Sequence, residues 1–139
     1  VEQVAQVDSK DMAWSLLHRL ALRCRHWLAQ PEVSALVIMH GTDTLEECAW
    51  FLHSVLKASD QHKPVVLTCA MRPANAPHAD GPRNLRDAIQ VANDAQSRGV
   101  LLVCAGEVDL AGDSRADDFP GGAQIARQAE FRDRKSTRL

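Results

Sequence analysis

Apolar residues recur every three to four positions across residues 11–29, at Met12, Leu16, Leu20, Cys24, Trp27 and Leu28, and that spacing predicts a helix. Gln30 and Pro31 end it, because proline disfavours the helical region for the residue before it. The next stretch, "VSALVIM" (33–39), is a short branched apolar run and predicts a buried strand. Helical spacing returns over 44–59, with Leu45, Cys48, Ala49, Leu52, Val55 and Leu56 on one side. "PVVLTCA" (64–70) predicts a second buried strand. The proline-rich segment 71–84 predicts an ordered loop, and 85–95 a helix with Leu85, Ala88, Ile89 and Ala92 inward. Gly99 then opens "VLLVCAG" (100–106), the third strand.

This alternation predicts an α/β fold: a parallel sheet in three layers, assembled from βαβ units. Near-continuous apolar strands fit a sheet covered on both faces. Right-handed crossovers and parallel strands put every strand's carboxyl end on one edge, where ligands bind in open α/β sheets. The loops expected at that edge are 40–44, 71–84 and 106–114, with 8–11 also within reach. Past Gly112 the pattern stops. Residues 113–139 show no strand and no helix longer than about two turns, so they are expected to be a disordered or loosely attached tail behind a domain spanning 1–112.

Composition narrows the function classes. The 139 residues carry 16 basic and 18 acidic side chains, a formal charge of −2, without the basic excess of a nucleic-acid binder. No apolar run approaches the ~20 residues needed to span a bilayer, and no leader-like start is present, so no membrane partner is expected. Cys24, Cys48, Cys69 and Cys104 lack the close pairs of a zinc site and are read as buried free thiols, which favours a reducing compartment.

The candidate chemistry lies where the first strand meets the second helix, at His40-Gly41-Thr42-Asp43-Thr44. Capping accounts for part of it: Thr44 with Glu47 forms a capping-box pattern, and Asp43 can cap one residue earlier. Capping needs one such residue, however, and three stand here. Gly41 permits a tight turn or the close approach of a ligand. The helix start favours a carboxylate, and Asp43 suits an ammonium group, so an amino acid matches both. Elsewhere the bland readings are preferred. His40 packs beside the strand end, Arg72 fixes the loop, and Arg23, Arg25 and His26 form a solvated helix face. Trp14, Trp27 and Trp50 belong to the core or a subunit contact. His78 and Asp80 fall short of the three or four ligands of a metal site, and Asp80-Gly81-Pro82 reads as a helix cap with proline at N1. No metal and no cofactor are expected.

"HGTDTLEECAWFL", "KPVVLTCAMRPANAPHADGPRNLRDAIQVA" and "GVLLVCAGEV", in that order, resemble the bacterial-type L-asparaginases, and "DSKDM" at 8–12 resembles their substrate-binding segment. The resemblance spans residues 7 to about 115. It implies an incomplete N-terminal asparaginase domain. The family reaction is hydrolysis of L-asparagine to L-aspartate and ammonia through a threonine nucleophile, usually in tetramers built from close dimers. By resemblance, Thr42 matches a catalytic threonine and Asp43 the aspartate that binds the substrate ammonium. Gly41 matches the turn glycine, and Ser9 the serine that contacts the α-carboxylate. Lys10 stands where many relatives carry glutamine, and Ala70 lies near the substrate amide. Secreted relatives often carry a disulfide whose positions here, 30–34 and 57–62, hold no cysteine, which implies a cytoplasmic protein.

Two departures bear on activity. The only threonines are Thr42, Thr44, Thr68 and Thr137, and none lies in the family's glycine-rich nucleophile turn. The only lysines are Lys10, Lys57, Lys63 and Lys135; after "AGDSR" (111–115), Ala116 and Asp117 stand where the family's basic lysine is sought. The expectation is a truncated or frame-altered chain, inactive alone and oligomeric only when full length. The alternatives are a glutaminase or amidotransferase relative, a non-catalytic amino-acid-binding or interaction module, and a nucleotide-binding α/β domain, the last disfavoured because no glycine-rich phosphate loop is present.

Overall fold

The computed structural model describes residues 1–56 and 62–111, and the backbone of 125–127. A short 3₁₀ turn, Ser9–Asp11, precedes α1 (Trp14–Leu28), β1 (Leu36–Met39), α2 (Leu45–Val55), β2 (Val65–Thr68), α3 (Gly81–Ala92), β3 (Val100–Cys104), β4 (Glu107–Ala111) and β5 (Ile125–Arg127). The sheet runs in the order β1-β2-β3-β4-β5. β1, β2 and β3 are parallel, with Leu36 opposite Val65 and Val65 opposite Val100.

Three layers form because β2 and β3 bury both of their faces. Val65, Leu67, Val100 and Leu102 pack under α1 and α2, against Leu20, Cys24, Cys48 and Leu52. The alternate positions Val66, Leu101 and Val103 pack under α3, against Ala88 and Val91. Each fully buried Leu or Val of this kind contributes about 1.5–3 kcal/mol relative to exposure.

Several sequence expectations change. α3 begins four residues before the predicted start, at Gly81, and its inward stripe is Asn84, Ala88, Val91 and Ala92. Ile89 is exposed. The added first turn places Asn84 within the helix on its buried face, where its amide donates to Cys69 O at 2.9 Å. The tryptophans are not core: Trp14 is 76% exposed, Trp50 48% and Trp27 37%. Arg23 is not simply solvated. It holds the Glu2 carboxylate with two hydrogen bonds of 2.8 and 3.0 Å, and the Trp27 indole N–H donates to the same carboxylate at 2.7 Å.

The crossovers also differ from expectation. β1–α2–β2 and β2–α3–β3 step in the same direction across the sheet, yet α2 and α3 lie on opposite faces. Two such connections have opposite hands, so one of them is left-handed, against the strong right-handed rule. The strands remain parallel, and their carboxyl ends still share one edge.

The segment expected as the loop 106–114 instead begins as a strand. β3 and β4 form an antiparallel hairpin, Val103 opposite Val108, closed by Ala105 and Gly106 with φ of 53° and 79°. Two successive positive φ values suit the right-handed twist of a tight hairpin. β5 then pairs antiparallel with β4, Leu110 opposite Ala126, within the segment expected to hold no strand. The rest of that segment, 112–124 and 128–139, lies outside the described residues. Alanine is unfavourable in the left-handed region by about 1–2 kcal/mol. Ala105→Gly should therefore raise stability by about 1 kcal/mol or slightly less, after the entropy cost of glycine. A urea unfolding midpoint that falls instead would show that the turn does not impose this conformation.

Candidate functional site

The carboxyl edge is assembled from three chain segments. The β1–α2 connection carries His40 to Thr44. His40 N–H donates to Thr68 O at 2.9 Å, which extends the β1–β2 ladder into the loop. Gly41 faces Ser9 so closely that a Cβ added there would stand 2.4 Å from Ser9 Oγ and 2.6 Å from Ser9 Cβ.

Ser9 is buried, and its hydroxyl interlocks with Asp43. Ser9 Oγ accepts the Asp43 backbone N–H at 3.2 Å and donates to Asp43 Oδ2 at 3.4 Å. Thr44 Oγ1 donates to Ser9 O at 2.8 Å. Thr44 occupies the N-cap position of α2 but makes no side-chain capping bond. The expected capping box is thus absent: the docked Ser9 carbonyl takes the hydroxyl that the local pattern assigned to the helix. Four sequence-selected residues, Ser9, Gly41, Asp43 and Thr44, are brought together across some 34 positions of chain.

The other selected residues are placed differently. Thr42 is exposed, and its carbonyl accepts the Leu45 N–H at 3.5 Å. Lys10 is exposed and pairs with Asp8 at 3.3 Å. Ala70 is exposed just past β2, where its Cβ lies 3.3 Å from the position a Gly81 Cβ would take. Gly81 therefore lets the start of α3 approach the Ala70 wall.

Two residues that the sequence reading assigned no site role hold that wall. Asp80 accepts the Met71 and Arg72 backbone N–H groups, each at 3.0 Å, and the Asn84 amide at 3.3 Å. It sits at the N-cap position of α3 without a side-chain capping bond, and Pro82 is the second helical residue rather than the first. The Met71 N–H bond is the leading cause that holds the Asp80 carboxyl below the ordinary aspartate range. Asn84, 1% exposed, donates to Cys69 O at 2.9 Å and accepts the Ala105 N–H at 3.3 Å. It thereby ties the ends of β2 and β3 to α3. The signal available in the sequence was Asp80 and Asn84 four residues apart at a helix start. Arg72 does fix the loop, through its backbone N–H and an Nη1 bond to His78 O at 3.4 Å.

Because the folded Asp80 pKa is lowered, its contribution to stability is complete above about pH 4 and is lost as pH falls through the folded value. Asp80→Asn should remove that part of the acid sensitivity, leaving a flatter stability profile below about pH 4. Superimposable acid-unfolding curves for the two proteins would contradict this.

A groove of about 520 Å³ runs behind the site, between residues 1–7, α1 and β1, and reaches Ser9, His40 and Gly41. Among the described residues, no group of three His, Cys, Asp or Glu side chains is arranged to hold a metal ion, and no helix is long and apolar enough to cross a membrane.

A family model described as asparaginase, N-terminal, matches residues 1–117. The chain belongs to the asparaginase family. It is 44% identical over 104 residues to L-asparaginase 2 of Bacillus subtilis (strain 168), covering 73% of this chain and 27% of that protein. It is 41% identical over 103 residues to the glutaminase-asparaginase of Acinetobacter glutaminasificans, covering 73% of this chain and 30% of that protein. The crystal structure of a probable cytoplasmic L-asparaginase from Campylobacter jejuni superposes with a TM-score of 0.73 at 38% identity, over 78% of this chain and 33% of that one. The chain thus spans less than a third of the length of these curated relatives, and its fold agrees with the N-terminal part of a solved asparaginase domain.

Proposed function

We propose that this asparaginase-family chain supplies the amino-acid recognition half of an amidohydrolase acting on L-asparagine. The observation that carries the reading is the Ser9–Asp43 interlock, a hydroxyl and a carboxylate held together at the mouth of α2. A free amino acid presents an ammonium group and a carboxylate. Asp43 meets the ammonium, and Ser9 with the positive N-terminal end of α2 meets the carboxylate. Ala70 lines the side-chain amide, Lys10 stands at the rim, and Thr42 offers its exposed hydroxyl to the reacting carbon or to water.

Turnover needs a hydroxyl coupled to a base. Among the described residues, Thr44 is committed to Ser9 O, and Thr68 is buried and committed to Val103 O at 2.7 Å. Lys63 is committed to Leu28 O and Gln30 O, at the end of α1. We therefore infer that the 139-residue chain binds its ligand without hydrolysing it. The exposed Trp14 and Trp50, on the outward sides of α1 and α2, support assembly of the complete protein into a homo-oligomer. The four free thiols support a cytoplasmic location.

Calorimetry with the 139-residue chain tests the reading. L-Aspartate and L-asparagine should bind and a nucleotide should not, and Asp43→Asn should abolish the heat of binding. Ammonia release from asparagine that is lost in Thr42→Ala would overturn the inferred inactivity. Equal binding of nucleotide, or undiminished aspartate binding by Asp43→Asn, would overturn the recognition role.

A further inference from the structure

Cys69 directly follows β2, and Cys104 ends the neighbouring parallel strand β3. The register that pairs Thr68 with Val103 carries Cys69 opposite Cys104. Neighbouring strands lie about 4.8 Å apart, inside the Cα separation of about 4.4–6.8 Å that a disulfide spans. Their Sγ atoms are 3.0 Å apart as free thiols. A disulfide bond needs about 2.0 Å, so the two sulfurs have to close by about 1 Å between them. The backbone on both sides is already fixed: Asn84 binds Cys69 O and the Ala105 N–H, and its amide also lies 3.8 Å from Cys104 Sγ. Cys69 is buried, whereas Cys104 is partly exposed.

We propose that Cys69 and Cys104 form a reversible disulfide on exposure to a low-molecular-weight disulfide such as oxidised glutathione, a modification site at the carboxyl edge of the sheet. The inference rests on strand register and thiol geometry and is independent of the amidohydrolase reading. Access makes Cys104 the first nucleophile. Burial and the neighbouring Cys104 push the Cys69 thiol up to about 12, which slows it as a first nucleophile; in the second, resolving step its Sγ, 3.0 Å from Cys104 Sγ, offsets this by proximity. The Cys104 thiolate attacks one sulfur of oxidised glutathione, forming a mixed disulfide and expelling one glutathione thiolate, which takes up a proton. Cys69 then loses its proton to solvent and attacks Cys104 Sγ. The Cys69–Cys104 bond forms, the mixed disulfide breaks, and a second glutathione leaves as thiol. Two protein thiols are oxidised and one glutathione disulfide is reduced to two thiols.

Cys24 and Cys48 serve as internal controls. Both are buried, and burial pushes each thiol up to about 12, which slows their reaction. The chain is incubated with oxidised glutathione, and thiols are counted under denaturing conditions, with peptide mapping by mass spectrometry. The expected result is loss of two of the four titratable thiols, an intact mass lower by two hydrogens, and one cross-linked peptide pair carrying Cys69 and Cys104. A dithiol reductant should restore all four. Cys69→Ser should instead trap glutathione on Cys104. Four thiols retained by the wild-type chain, a stable glutathione adduct on its Cys104, or a cross-link between Cys24 and Cys48 would overturn the proposal. The mapping of the wild-type chain decides it even if the variant fails to fold.

Discussion

Gly41→Ala should unseat Ser9 and abolish amino-acid binding together. The added Cβ would stand 2.4 Å from Ser9 Oγ and 2.6 Å from Ser9 Cβ, separations that real methyl groups do not tolerate. Gly41 is not among the positive-φ residues, so the requirement is for space rather than for a special backbone conformation. Relief requires moving Ser9, which is buried and holds both the Asp43 N–H and, through its carbonyl, the Thr44 hydroxyl. Overpacking of this kind costs about 1–3 kcal/mol, and the disrupted hydrogen bonds add about 1 kcal/mol each. A loss of about 3 kcal/mol in urea unfolding is therefore expected, with no detectable aspartate binding even under conditions where the variant remains folded. A variant as stable as the parent would show that the 3₁₀ turn is not seated against Gly41.

Asn84→Ala should destabilise the fold by a similar amount for a different reason. The side chain is almost fully buried and serves Cys69 O and the Ala105 N–H at once. Truncation strands both backbone groups. An unsatisfied buried group costs about 1–3 kcal/mol, and Cys69 is buried whereas Ala105 is exposed, so a loss of about 2–3 kcal/mol is expected. The urea midpoint measures it. Because Asn84 also braces the wall that carries Ala70, the ligand affinity of the folded fraction should fall as well. An unfolding midpoint within error of the parent would show that water replaces the amide at no cost.

The parallel half of the fold was legible because β2 and β3 are buried on both faces, and double burial writes continuous apolar runs such as "VVLT" and "VLLVC". β4 was not. "EVDLA" carries two carboxylates, and its hairpin depends on Ala105 adopting a positive φ, which alanine does not advertise. The hand of the crossovers was illegible for a deeper reason. It depends on which face α2 and α3 each take, and both helices carry an ordinary apolar stripe.

At the site, local pattern predicted that Thr44 would cap α2, and a tertiary partner overrode it. The carbonyl of Ser9, far away in sequence, offers a bond at 2.8 Å. Gly41, Asp43 and Ser9 stand together in the sequence reading because a polar turn ending an apolar strand, combined with the resemblance to the asparaginases, names them together, and the fold brings them into contact. Asn84 escaped because an asparagine one turn into a helix reads as a solvated polar residue until its partners are visible. Asp80 was recognised only as a cap, although its carboxylate spends its bonds on the far side of the loop, at Met71 and Arg72.

The central claim is that an amino acid binds where the Ser9 turn docks onto the β1–α2 connection. Backbone amide chemical shifts of the isotope-labelled chain, followed during titration with L-aspartate, test it most directly. The account predicts saturable shifts at Ser9, Gly41, Asp43 and Ala70, absent with succinate, which lacks the ammonium group that Asp43 is proposed to hold. Shifts confined to the groove residues Leu16, Leu20 and Leu36, or equal shifts with succinate, would contradict it.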